Sequence, residues 1–201
     1  MRPVRSLLLG LLVVLAGTGG RALAAPGGNV NFLFGERALS SDLWGDTDRP
    51  PVFGVMADYT AQGWPVRLEG GIFFSSATGD FIEPLLLTRA EVENRVSELS
   101  FGLNQTWDRR GRGRPNLGGG LAWVVAGSDI SSEFLTDTHD DAQALGVYAH
   151  GGMFWRVGAT FNLGFDVRLL GTTNFDLFGE SGNAAYAQAG LVFGWGWPPY
   201  P

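Results

Sequence analysis

The sequence predicts an all-β protein, an eight-stranded antiparallel up-and-down transmembrane β-barrel. Three observations carry that expectation. Two adjacent segments alternate apolar and polar residues across a very short turn. The connections between candidate strands alternate long and short. Aromatic side chains gather at one end of the strands.

The alternation is clearest in residues 145–170. Val147, Ala149, Gly151, Met153 and Trp155 alternate with Tyr148, His150, Gly152, Phe154 and Arg156. After the turn, Phe161, Leu163, Phe165, Val167 and Leu169 alternate with Asn162, Gly164, Asp166 and Arg168. Successive strand residues point to opposite faces. One face of this hairpin is therefore apolar and the other carries a histidine, two arginines and an aspartate. A membrane barrel turns the apolar face to lipid and the polar face to the lumen. A soluble barrel does the reverse and remains the alternative fold.

The chain opens with Arg2 and Arg5, an apolar run from Leu7 to Ala16, and Ala22-Leu23-Ala24. This is the pattern of a cleaved signal peptide over residues 1–24, leaving 25–201 as one barrel domain. The apolar run is shorter than the about 20 residues that a spanning helix needs. There is no Cys, so a closed sheet rather than disulfides must stabilise an exported chain. Removing Arg2, Arg5 and Arg21 leaves eleven basic and twenty acidic residues, a net charge of −9 that argues against nucleic acid as a partner. Thirty-one glycines and 12% aromatics suit a glycine-rich β architecture.

Eight strands are expected over 29–35, 52–60, 66–75, 95–107, 117–126, 146–157, 160–170 and 184–197. Most match the about 9–11 residues of a tilted transmembrane strand. Long connections follow the first, third, fifth and seventh, at 36–51, 77–94, 127–145 and 171–183. Shorter ones, 61–65, 108–116 and 158–159, follow the second, fourth and sixth. Long loops outside and short turns in the periplasm are the outer-membrane pattern. Tyr59, Trp64, Trp107, Trp155, Phe161, Trp195 and Trp197 all fall at the periplasmic end of this topology. They form an interface girdle, since such rings are apolar on one side and wettable on the other.

The last strand sets Ala187, Ala189, Leu191, Phe193, Trp195 and Trp197 on one face. This alternation closing on an aromatic resembles the C-terminal assembly signal of bacterial outer-membrane proteins. The tail Pro198-Pro199-Tyr200-Pro201 departs from it, because the signal ends at the aromatic. The whole mature chain resembles the small barrels of the OmpA, OmpX and OmpW type in architecture. The resemblance implies an outer-membrane location and carries no active site onto this sequence.

With the apolar face outward, parity sets Asp58, Arg67, Glu69, Glu98, His150, Arg156, Asp166 and Arg168 inward. An eight-stranded barrel is just wide enough for side chains to fill it. Buried charges must pair, so a polar network that closes the lumen is expected, with an ion path as the sharper alternative. His150 has Ala149 and Gly151 as neighbours and no adjacent nucleophile, and the HxS sequence of lipid A deacylase barrels is absent. No catalytic, metal or cofactor residue is assigned.

Carboxylates crowd the expected outer loops: Asp42, Asp46 and Asp48; Asp80, Glu83, Glu91 and Glu93; Asp129, Glu133, Asp137, Asp140 and Asp141, with His139 among the last group. They read as solvated loops, a surface for an extracellular ligand, or a bridge through divalent cations to lipopolysaccharide. Arg109, Arg110, Arg112 and Arg114 crowd one periplasmic turn. Thr88 and Glu91 have capping-box spacing, which starts a short helix after Leu85–Leu87 in the second loop. The function expected is a non-enzymatic structural or surface-interaction protein in contact with outer-membrane lipid and lipopolysaccharide. A narrow channel for ions or small apolar solutes is the alternative, and a lipid-modifying enzyme the third reading.

Overall fold

In the computed structural model, which describes residues 26–40, 42–83, 88–107, 113–132 and 138–197, the chain forms a closed antiparallel barrel. Its strands are β1 (Gly27–Leu39), β2 (Pro51–Thr60), β3 (Arg67–Glu83), β4 (Thr88–Thr106), β5 (Gly113–Ser132), β6 (Thr138–Val157) and β7 (Phe161–Thr172). A small hairpin, β8 (Phe175–Leu177) and β9 (Glu180–Gly182), precedes the closing strand β10 (Tyr186–Trp197). Each barrel strand pairs with its neighbours in sequence, and β10 closes on β1 from Gly28↔Trp197 to Leu39↔Tyr186.

Alternation drives this closure. The odd-numbered residues of β7 from Leu163 to Leu169 point outward and are exposed, while Asn162, Asp166, Arg168 and Leu170 point inward and are buried. The outward series from Phe161 to Leu169 covers nine positions. At about 3.4 Å per residue and a tilt of about 40°, it forms an apolar band about 23 Å tall, close to the height of a membrane barrel's lipid-facing belt. At the other end of the band the outward residues turn polar: Glu36 on β1, Arg95 on β4, Asp129 on β5 and Asp141 on β6.

Strands β3 to β6 run well past that polar boundary. Their pairing continues to Glu83↔Thr88, Ala90↔Ser132 and Ile130↔Thr138. The expected long loops over 77–94 and 127–145 are therefore mostly paired strand, and only residues 84–87 and 133–137 separate their arms. Beyond lipid the outward positions no longer need to be apolar. The alternation fades while the backbone ladder, which is indifferent to side-chain polarity, goes on. For the same reason the expected helix at Thr88 and Glu91 is strand: Thr88 pairs with Glu83, and Glu91 with Asp80. Asp129, His139, Asp140 and Asp141 likewise lie in strands and not in a loop. Residues 1–24, Leu85–Leu87, Arg109, Arg110, Arg112, Glu133, Asp137 and the 198–201 tail lie outside the described residues.

Two segments, from the connections after β1 and β7, fold over the mouth and reach the protruding sheet. There Asn94 Nδ2 donates to Thr47 Oγ1 and Phe178 N to Asp140 Oδ2. A 3-10 turn, Asp42–Thr47, brings in Trp44, and β8–β9 brings in Phe175 and Leu177. The Trp44 indole donates to Asn183 O at 3.0 Å and stands edge-on to Phe175 at 6.5 Å. These rings pack among Leu39, Val96, Val124, Ala126, Ala142, Ala144, Leu170 and Ala184. The small alanines of β5 and β6 make room for the indole. The outer half of the lumen is thus an apolar core with a folded plug.

The β8–β9 turn is Phe178-Gly179, with φ of 50° and 82°. Two positive φ values mark the type I′ geometry that favours Asn-Gly. A bulky aromatic at the first position costs on the order of 1–2 kcal/mol against residues that tolerate it.

The lipid-facing band generates a position-dependent prediction. Phe165→Arg, at mid-band on β7, should lower unfolding stability in lipid vesicles by about 2–4 kcal/mol. Glu36→Arg, above the band, should change it by no more than about 0.5 kcal/mol. Urea titration of tryptophan fluorescence measures both.

Candidate functional site

The lumen below the plug holds three polar layers. The first centres on Glu98 of β4, which is buried together with Arg37 and Arg168. Arg168 Nη2 donates to Glu98 Oε1 at 2.5 Å, and Arg37 Nη2 lies 3.6 Å from Glu98 Oε2. The Tyr186 hydroxyl donates to Glu98 Oε2 and accepts from Arg168 Nε at 3.1 Å. Arg37 also donates to Gln188 Oε1 and to Ser75 Oγ. Each guanidinium lies against aromatic faces, Arg37 over Tyr186 at 4.0 Å and Arg168 over Tyr148 at 3.6 Å. Such stacking suits arginine because its planar cation is weakly hydrated.

The second layer is His150. Its Nδ1 lies 2.8 Å from Asp166 Oδ2 and its Nε2 2.9 Å from Glu69 Oε2. Tyr148 donates to the other Glu69 oxygen at 2.7 Å. Both ring nitrogens face carboxylates, the arrangement in which an imidazolium donates twice. Neither nitrogen is left to activate a hydroxyl, and the inward Ser100 donates instead to Gly71 O.

The third layer faces the short turns. Arg67 Nη1 meets Asp58 Oδ1 at 2.6 Å, and Asn29 Nδ2 donates to both Asp58 oxygens. Asn162 donates to Asn29 Oδ1 at 3.2 Å. Asn31, Asn104, Asn116 and Arg114 are buried beside them. A cavity of about 30 Å³ lies among these residues, room for about two waters. Gly152 lies at an inward position where a Cβ would collide with the Phe165 carbonyl oxygen, so no side chain fits there.

Of the eight residues that parity assigned inward, Asp58, Arg67, Glu69, Glu98, His150, Asp166 and Arg168 are joined by the contacts above, and Arg156 sits half-buried near the β6–β7 turn. Arg114 belongs to the lumen and not to the turn, since the alternation of β5 begins at Gly113 and turns its side chain inward. Sequence reasoning missed Arg37, because its segment carried charges and was assigned to a loop. Continuing the inward series Leu33, Gly35, Arg37, Leu39 would have found it. The seven aromatics lie at the short-turn end, with Tyr59, Trp64, Trp155, Trp195 and Trp197 exposed and Trp107 and Phe161 half-buried.

On the protruding sheet a charged ladder crosses three strands. Glu93 accepts from Ser76 and Arg95, Arg95 reaches Asp129 at 2.7 Å, and His139 bridges Asp129 at 2.5 Å and Asp141 at 2.9 Å. The Arg95 hydrogen bond holds Glu93 below the usual carboxylate range. Hydrogen bonds to Asp129 and then Asp141 raise the His139 pKa.

A closed eight-stranded antiparallel barrel with an apolar outer belt and a charged lumen defines the class: this is the fold of the small bacterial outer-membrane β-barrels. Solved structures agree. The chain is similar to Ail, the attachment invasion locus protein of Yersinia pestis in complex with the heparin analogue sucrose octasulfate. That match has a TM-score of 0.60 and 13% identity over 87% of this chain and 100% of Ail. It is similar to a major outer membrane protein from Thermus thermophilus, with a TM-score of 0.63 and 10% identity over 87% of this chain and 100% of that one. It is also similar to the outer membrane protein OprG from Pseudomonas aeruginosa, with a TM-score of 0.60 and 10% identity over 86% and 96%. No family model and no curated protein sequence matches.

The contrast between buried and exposed charge gives two expected outcomes. Glu98→Ala should cost about 3–5 kcal/mol, because it strands Arg37 and Arg168 in the lumen, while the exposed Glu93→Ala should cost less than about 1 kcal/mol. Denaturant unfolding in vesicles compares them. The His139 bridge is fully formed below the ordinary imidazole pKa of about 6.5 and is lost as pH rises through the raised folded-state value. NMR titration of the ring should therefore give a midpoint above that of a model imidazole, and Asp129→Asn should lower it.

Proposed function

We propose that this chain is a non-enzymatic surface protein of the bacterial outer membrane, exported by a signal peptide cleaved after Ala24 and acting through its protruding end. The observation that carries this reading is the pair of features above the lipid band. The lumen is plugged by Trp44, Phe175 and Leu177, and β3 to β6 rise past the band as a four-stranded sheet. A path for solutes needs a continuous opening, and here an apolar plug sits over a layer of paired charges. An interaction surface needs a rigid element raised above lipid, and here β3 continues for eight residues after β2 stops pairing with it at Ser75. The exposed carboxylates Glu93, Asp141, Asp176 and Glu180 give that end an acidic character. An anionic ligand such as the sucrose octasulfate of the Ail complex is disfavoured on it by charge.

The chain has no cysteine, so single cysteines report topology cleanly. A membrane-impermeant maleimide on whole cells should label Glu93→Cys and Asp141→Cys, and should label Trp64→Cys only after permeabilisation. In planar bilayers the wild-type barrel should leave the baseline current unchanged. Discrete openings, or labelling with the opposite sidedness, would overturn the reading.

A further inference from the structure

We propose that Phe178 is the anchor of a docking site for a cationic, amphipathic polypeptide, with the ring entering an apolar pocket of the partner and the carboxylates of its hairpin meeting the partner's basic residues. The proposal deepens the surface-interaction reading above and rests on it.

The first observation is that folding makes little use of this ring. Phe178 is 41% exposed. The other large exposed apolar residues among the described ones belong to the outward faces of the barrel strands or to the aromatic end beside the short turns. Phe178 is neither: it stands on the β8–β9 hairpin over the barrel mouth. Elsewhere in that hairpin the apolar residues point down, with Phe175 and Leu177 buried in the plug.

The second observation is independent of exposure. The backbone at Phe178 has a positive φ, which a bulky residue adopts only under strain, and the following Gly179 completes a turn whose geometry calls for Asn-Gly. An aromatic in that place is costly to the fold, and it leaves 41% of its surface in solvent. Backbone strain held by surrounding structure marks functional positions, and here the clamp is visible. Phe178 N donates to Asp140 Oδ2 at 2.6 Å, tying the strained residue to β6 of the protruding sheet. The turn is thus tethered to the barrel wall, and tethering of this kind lowers the entropy lost on binding.

The third observation selects the partner. Asp176 and Glu180 are exposed on the same hairpin, and Asp140 and Asp141 lie beside it on β6. The nearby His139 ring is held between Asp129 and Asp141. An aromatic with Asp176 and Glu180 exposed on its own hairpin fits an apolar pocket with a basic rim, the arrangement in which a central ring supplies affinity and rim charges supply rate and selectivity. It disfavours an anionic lipid surface, a sulfated glycan and a second copy of this acidic chain.

The test uses the full barrel in detergent micelles and a fluorescent amphipathic helical peptide of lysine and leucine as probe, followed by anisotropy. Wild type should bind it, more weakly as salt rises. Phe178→Asn should weaken binding about tenfold, the loss of a hot-spot contact of about 1.4 kcal/mol, and Phe178→Trp should retain it. Asp176→Asn with Glu180→Gln should flatten the salt dependence. Phe178→Asn should melt no lower than wild type, since it relieves the turn. The proposal is overturned by absence of binding, by Phe178→Asn binding equally, or by equal binding of a glutamate–leucine peptide or of heparin. A lowered melting temperature in Phe178→Asn would show that the ring packs on its own chain, and a wild-type dimer lost in that variant would show a copy–copy contact. Either result also overturns it. Impermeant labelling of Glu180→Cys on whole cells separates the two readings. If it labels and the peptide does not bind, the outward surface stands and the docking site falls.

Discussion

Hydrocarbon offers no partner to a backbone amide, so every strand in the lipid band must be paired on both edges. The seam between β1 and β10 is where that requirement is met or lost. It joins the two ends of the barrel, and twelve register pairs hold it from Gly28↔Trp197 to Leu39↔Tyr186. Outside, Phe34 and Phe193 stack at 5.7 Å and Phe32 and Phe193 at 5.6 Å, so aromatic contacts cross the same seam on the lipid side. Inside, Arg37 of β1 holds Gln188 of β10. Closure, lipid burial and the charged lumen are thus one structure seen from three sides.

A small closed barrel has an interior that side chains must fill, and this one fills its two halves differently. Toward the short turns it uses asparagines, paired charges and a small cavity. Toward the outer mouth it uses Trp44, Val96, Val124, Phe175 and Leu177 in the manner of a soluble core. The apolar half gives the emerging strands β3 to β6 something to pack on once lipid no longer covers their outer face. It also converts the connections after β1 and β7 from free loops into a cap. The proposed surface function rests on that division, with the membrane half as a mount and the residues above it as the face open to a partner.

Much of this was legible in the order of residues alone. A period of two needs only a reading of alternate positions, and it led to Glu69, Glu98, His150, Asp166 and Arg168 on a single inner face. The aromatic residues at the short-turn ends followed from where the alternation stops. What escaped was the continuation of strands into water. In lipid the outer face must be apolar, so strand and pattern coincide; above it, Glu91, Glu93, Asp129 and Asp141 are as acceptable as leucine, and the ladder leaves no trace in composition. Arg37 and Arg114 were missed for the same reason at strand ends. The strain at Phe178 was likewise invisible, because it depends on the turn geometry that joins β8 to β9.

The sequence by itself determined the fold class, the face that each membrane strand turns to lipid, and the need for the inner charges to pair, because side-chain direction in a strand alternates whatever the neighbours are. Only the tertiary structure decided which charges meet, how far the strands rise, and what closes the mouth. Those depend on register and shear around a closed ring. Glu98 of β4 finds Arg37 of β1 and Arg168 of β7 across the lumen, and no local rule relates residues that far apart along the chain.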